Sequence, residues 1–123
     1  PVSCAIGHAV LEIIDDEDLQ SRSEKVGKKL KSMLDKLQKN HEIIGEVRGM
    51  GLFIGVEFID RGNKLKPNSP DANSIVNAMK NRGILLSVDG PDKNVIKIKP
   101  PMVFNDENAT FLVENLEATL SDY

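Results

Sequence analysis

The sequence predicts an α/β fold of the α+β kind, a small sheet of about four strands with helices packed on it. Three observations point to it. Leu52–Ile59 alternates apolar residues over its length and reads as a strand. Ile84–Val88 and Val95–Lys99 are shorter apolar runs bounded by Gly, Asp and Pro. The intervening segments carry apolar residues at helical spacing. The resulting order is helix, helix, two strands, helix, two strands, helix.

The first helix is expected over Val2–Ile14, where Ala5, Ile6, Ala9, Val10, Ile13 and Ile14 follow helical spacing. Pro1 suits its first position. Asp15, Asp16, Glu17 and Asp18 then break the apolar pattern. A second helix is expected from about Asp18 to Asn40. Its stripe is Leu19, Val26, Leu30, Met33, Leu34 and Leu37. Lys28, Lys29, Lys31, Lys36 and Lys39 read as its solvated face.

Ile43 and Ile44 open the first strand segment, which runs to Arg48. Gly49-Met50-Gly51 bends the chain, because glycine takes backbone angles that other residues avoid. In the next strand Leu52, Ile54, Val56 and Phe58 share one face; Phe53, Gly55, Glu57 and Ile59 share the other. Both faces are largely apolar, which predicts a central strand covered on both sides. Asp60–Pro70 is polar and reads as a surface loop. Asp71–Arg82 reads as a helix with Ala72, Ile75, Val76 and Met79 inward, stopped by Gly83. Ile84–Val88 and Val95–Lys99 are the last strands, joined through Asp89-Gly90-Pro91 and ended by Pro100-Pro101. Asn105 can cap a final helix to about Ser121, with Phe111, Leu112, Leu116 and Leu120 facing in.

Length and composition set bounds. A chain of 123 residues suits one domain. Its 40% hydrophobic content argues against disorder. No apolar stretch approaches the roughly 20 residues of a membrane span. A net charge of −3 argues against a general nucleic-acid surface. Cys4 is the sole cysteine, so no internal disulfide forms, which fits a reducing compartment. No charged leader precedes an apolar segment, so no signal peptide is expected. Pro1 stands where Met would open a gene product, and the opening reads as mid-domain helix. The expectation is that the chain was processed or cut from something longer.

Candidate chemistry is sparse. Gly49, Gly51 and Gly55 resemble a dinucleotide loop only superficially. Their spacing is wrong, and a strand follows where phosphate binding needs a helix N-terminus. His8 and His41 lie far apart without ligand spacing, which favours structural or surface roles. Cys4 reads as a small buried residue, since nothing adjacent supplies a base or positive field. Lys97 and Lys99 share one face of their strand, opposite Ile96 and Ile98. That pattern suits an ordinary half-exposed strand, or an anion site where ammonium groups meet phosphate or carboxylate. Arg48 could hold backbone carbonyls, a carboxylate partner or a substrate anion; the structural role is favoured. No catalytic constellation and no metal set can be assembled from spacing.

At VRGMGLFIGVEF the chain resembles the C-terminal small domain of class III pyridoxal-phosphate aminotransferases, a fold type I architecture. PVSCAIG resembles the segment that starts at the proline of their GGNP turn, and VIKIKPPMVFNDENA their final strand, Pro-Pro turn and helix. LLSVDGPDKNVIKIKPPM is most similar to the alanine–glyoxylate aminotransferase 2-like subgroup, which includes ethanolamine-phosphate and phosphohydroxylysine phospho-lyases. The resemblance implies that residues 1–123 are one domain of a larger enzyme, a homodimer when complete. It implies pyridoxal phosphate as cofactor, with the cofactor lysine in a large domain upstream. It assigns no catalytic, cofactor-binding or metal residue to this chain.

In the aminotransferases, the strand before the Pro-Pro turn typically carries an arginine that clamps the substrate carboxylate. Lys97 occupies that position here, which implies substrate binding by Lys97. A lysine is a point charge without the planar fork that suits a carboxylate. The departure agrees with a phospho-lyase acting on a small amine. The implied reaction is elimination: a proton leaves the carbon beside nitrogen, the cofactor holds the electrons, and phosphate departs from the adjacent carbon. Hydrolysis of the enamine gives an aldehyde and ammonia. The domain would supply one wall of the site and close over it. Two alternatives remain: a true aminotransferase of the same family, or a free-standing ligand-sensing or dimerisation module. An intracellular setting, mitochondrial or cytoplasmic, is expected, with neither nucleic acid nor membrane as partner.

Overall fold

The computed structural model describes residues 1–123. Its order is α1 (Val2–Asp16), α2 (Leu19–Asn40), β1 (Ile44–Met50), β2 (Phe53–Asp60), β3 (Asn63–Pro67), α3 (Ser69–Asn81), β4 (Ser87–Asp89), β5 (Val95–Ile98) and α4 (Asp106–Leu120). Every strand pairing is antiparallel, and the main path runs β1-β2-β5-β4, with β3 also on β2. This is the α+β side of the expected class. β2 is central, as its composition predicted.

Helices α2 and α3 bury their stripes against one face of this sheet, and α4 packs against both helices to complete the same core. Leu30 and Leu34 from α2, Ile75 and Met79 from α3, and Leu116 and Leu120 from α4 are fully buried. They meet Ile54, Val56, Phe58, Ile96 and Ile98 in one core. Asn105 caps α4 as expected; its side chain accepts from the Asn108 N–H at 2.9 Å, and Asn108 returns the bond. Asn68 caps α3, which therefore starts earlier than its apolar pattern suggests.

The glycine turn is held by backbone contact. Gly27 of α2 lies against Gly51: a Cβ at Gly27 would stand 2.1 Å from the Gly51 carbonyl oxygen. Gly49 has φ of 149°, and a Cβ there would stand 2.2 Å from the Phe53 carbonyl oxygen. The bend therefore depends on missing side chains at both positions.

Several expectations need correcting. Asp60–Pro70 is not all loop: Asn63–Pro67 folds back as β3, pairing Ile59 with Pro67 and Asp60 with Asn63. All of β3 is exposed, so no burial pattern betrays it. The first helix buries nothing along its length; Val2, Ile6, Val10, Leu11 and Ile13 stand exposed. Cys4 is accordingly exposed, not buried. Phe111 is 53% exposed, because its side of α4 turns from the core. Val76 and Met33 are half-buried at the core margin. The second face of β2 is not covered either: Phe53 is 58% exposed, Gly55 and Glu57 are half-buried, and only Ile59 is buried. The fourth strand begins at Ser87; Ile84 turns back from α3, its N–H bonding the Met79 carbonyl at 3.0 Å.

Candidate functional site on the open sheet face

The uncovered face of the sheet gathers two networks of paired charges, Arg48 with Glu46 and Glu57, and Lys97 with Asp89. Alternation along β5 sends Ile96 and Ile98 into the core and leaves Lys97 and Lys99 on the opposite side. Strand register then aligns residues distant in sequence. Arg48 pairs with Gly55, Gly55 with Lys97, and Lys97 with Ser87, which makes one row across four strands. Gly55 contributes no side chain to that row, so Arg48 and Lys97 flank an open slot. A cleft of about 480 Å³ opens here, lined by Arg48, Gly49, Met50, Phe53, Ile54, Gly55, Asp89, Val95 and Lys97.

The adjoining row supplies the counter-charges. Glu46 pairs with Glu57, Glu57 with Val95, and Val95 with Asp89. Arg48 Nη1 donates to Glu57 Oε2 and, at 2.7 Å, to Glu46 Oε2. The bond to Glu57 raises the guanidinium above its ordinary pKa, with burial opposing. Arg48 thus has the carboxylate partners of a structural residue. Lys97 Nζ donates to Asp89 Oδ2 at 2.6 Å. Lys99 lies over Phe53, its Nζ 5.8 Å from the ring centroid, within cation–π reach.

Asp89 is held on both sides. Oδ1 accepts from the Gly90 N–H at 2.8 Å while Oδ2 takes Lys97. Lys97 first, and the Gly90 N–H second, keep its carboxyl below the usual carboxylate range. A lowered pKa means that the pairing is present above the ordinary carboxylate value and is lost as pH falls through Asp89's own pKa. In a Lys97→Met chain, the Asp89 carboxyl resonance is expected to titrate at higher pH than in the parent, short of the free value. Carbon-detected NMR measures this; an unmoved midpoint would leave Asp89 without its Lys97 partner in solution.

Other candidates fall elsewhere. His8 is exposed on α1, with Nδ1 3.2 Å from Glu12 Oε1. His41 ends α2, its N–H bonding the Leu37 carbonyl at 3.0 Å. Gly49, Gly51 and Gly55 lie in strands or the turn between them, and none precedes a helix. No three His, Cys, Asp or Glu side chains come together as a metal set. No helix is long and apolar enough to cross a membrane. Asp89 joins the site without a sequence signal of its own. The Asp-Gly-Pro turn was legible, but the pairing that brings it to Lys97 was not.

Pyridoxal phosphate needs a lysine amine in an enclosed site and donors converging on its phosphate. Every lysine here is exposed or half-buried. The starts of α3 and α4 are already capped by Asn68 and Asn105 and carry Asp71, Asp106 and Glu107 in their first turns. Those carboxylates oppose a phosphate at either helix end. The chain's residues alone do not make a cofactor site.

Comparison with known proteins is consistent across sequence and structure. The family model described as Aminotransferase class-III matches residues 1–120. A Drosophila melanogaster protein named alanine–glyoxylate aminotransferase 2-like is 46% identical over 110 residues, covering 89% of this chain and 22% of that protein. A Caenorhabditis elegans protein named ethanolamine-phosphate phospho-lyase homolog 1 is 41% identical over 122 residues, 98% of this chain and 26% of that protein. A solved phospholyase from Arthrobacter, in complex with phosphoethanolamine, superposes with a TM-score of 0.96 at 36% identity. It is covered over 29% of its length by the whole of this chain. Thus the chain spans about a quarter of the proteins it matches. The family's enzymes depend on pyridoxal phosphate. A match along nearly the whole chain, on the same antiparallel sheet and helices, means that this chain belongs to the class III aminotransferase family.

Proposed function

We propose that the chain is the C-terminal small domain of a pyridoxal-phosphate-dependent phospho-lyase. The complete enzyme would eliminate phosphate from a phosphorylated amine, phosphoethanolamine or phosphohydroxylysine, to give an aldehyde, ammonia and phosphate. The observation that carries this reading is Lys97, a compact ammonium half-exposed on the open face at a position where an arginine fork would suit a carboxylate. In this reading Lys97 binds the substrate's anionic group, and the domain shields it from water. The phospho-lyase names among the similar proteins support the substrate class.

The large domain of the same enzyme is the proposed partner and supplies the cofactor lysine. Two features support an absent partner. An apolar stripe on α1 stays unburied, which a helix of this composition does not favour in water. The open sheet face also exposes Met50 and Phe53 beside the cleft. The complete protein would form a homodimer in mitochondria or cytoplasm, and the 123-residue chain alone would lack activity.

An aminotransferase is the second reading, favoured by the name of the Drosophila relative. Assaying the full-length protein for phosphate release and for amino transfer to a 2-oxo acid separates the two. Lys97→Ala in that protein is expected to lower kcat/KM for the phosphorylated amine at least tenfold with folding intact; one charge-assisted bond is worth about 1.5–3 kcal/mol. Unchanged kinetics would return Lys97 to an ordinary strand position.

A further inference from the structure

We infer that Asp89 is the positioning residue for Lys97, fixing its ammonium in the open-face cleft with donors left for an anionic substrate group. The inference rests on the reading that Lys97 binds substrate. Three observations support it. The β4–β5 register puts Asp89 opposite Val95, diagonal to Lys97 on the same face. Asp89 is itself anchored: Oδ1 accepts the Gly90 N–H at 2.8 Å, so Oδ2 is presented from a set direction. Lys97 bonds that oxygen at 2.6 Å, and an ammonium carries three donors, so two remain. The other cations on this face are differently engaged. Arg48 meets two carboxylates and Lys99 leans over Phe53.

A negative neighbour could instead repel the substrate. Both side chains of the pair are partly solvated, at 36% and 57% exposure, so water screens that repulsion. An untethered lysine spreads over many rotamers, a loss that the pairing prevents before substrate arrives. The positioning role requires that removing the Asp89 charge weakens binding; net repulsion would instead tighten it.

The test uses the full-length holoenzyme with phosphoethanolamine or phosphohydroxylysine, whichever the parent turns over. Asp89→Asn, which keeps the Gly90 bond, is expected to raise KM at least fivefold with kcat within twofold. Asp89→Glu should recover part of that loss. In a Lys97→Ala background, Asp89→Asn should add nothing, because its effect passes through Lys97. An unchanged or lowered KM in Asp89→Asn, with Lys97→Ala impaired, overturns the positioning role and leaves the substrate role of Lys97 standing. Additive losses in the double variant also overturn it. If Lys97→Ala is unimpaired, or neither substrate releases phosphate, the underlying reading fails and this inference fails with it.

Discussion

Replacing Gly27 with alanine is expected to destabilise the chain by about 3 kcal/mol or more, against the usual preference of a helix for alanine. Alanine in a helix interior normally gains about 1 kcal/mol over glycine. Here the new methyl would stand 2.1 Å from the Gly51 carbonyl oxygen and 2.3 Å from its carbon. Those are backbone atoms of the turn that launches β2, and no flexible side chain can yield. Either α2 retreats from the sheet or the turn is rebuilt. Gly7 on α1 provides the control, because nothing lies within 4 Å of a Cβ there. Gly7→Ala should therefore be neutral or stabilising by up to about 1 kcal/mol. Urea unfolding of the 123-residue chain measures both. With a slope of about 1.5 kcal/mol per molar, Gly27→Ala should lower the midpoint by roughly 2 M. A rise in the Gly27→Ala midpoint would contradict the close approach of α2 to the turn.

Phe58→Ala carries the second large effect, about 3–5 kcal/mol. Phe58 is fully buried at the centre of the core. Its carbonyl accepts from the Asn94 side chain at 2.8 Å and from the Asn68 N–H at 3.0 Å. Those bonds keep the strand in place after truncation, so the surroundings cannot collapse freely into the void. Phe111→Ala removes the same atoms from a half-exposed site and should cost less than about 1 kcal/mol. Comparing the two unfolding midpoints checks the assignment. Similar losses would place Phe111 in the core, where the helical pattern of its neighbours had suggested it belonged.

Phe111 shows why the pattern was only partly readable. Leu112, Leu116 and Leu120 are buried on α4, and Phe111 adjoins their stripe. Periodicity locates the stripe's direction, but its edges depend on how far the neighbouring elements reach. The same limit applies to α1. Its residues follow helical spacing and do form a helix, yet no element within the chain covers them. Cys4, which reads as a small buried residue, is exposed because no element of the chain covers α1.

The candidate site divides in the same way. Lys97 could be recognised from alternation along its own strand and from its place before Pro100-Pro101. Asp89 could be seen only as turn chemistry. Gly55 could be placed on the second face of its strand, whereas only the register makes it the gap between Arg48 and Lys97. Arg48 could be given a carboxylate partner in general terms, but not Glu57 and Glu46 in particular.

Local chemistry, then, was enough for the existence of the helices, the central strand, the Asn105 cap, the bend at Gly49–Gly51 and the family. Each depends on residues within a few positions of one another, where periodicity, turn preference and motif spacing act directly. Tertiary structure alone decided the contact between Gly27 and Gly51, the pairing of Lys97 with Asp89, the open sheet face and the unburied stripe of α1. Those features arise from strand register and layer packing, which join residues far apart in the chain. A sequence pattern shows which way a side chain points; only the assembled layers show what it meets.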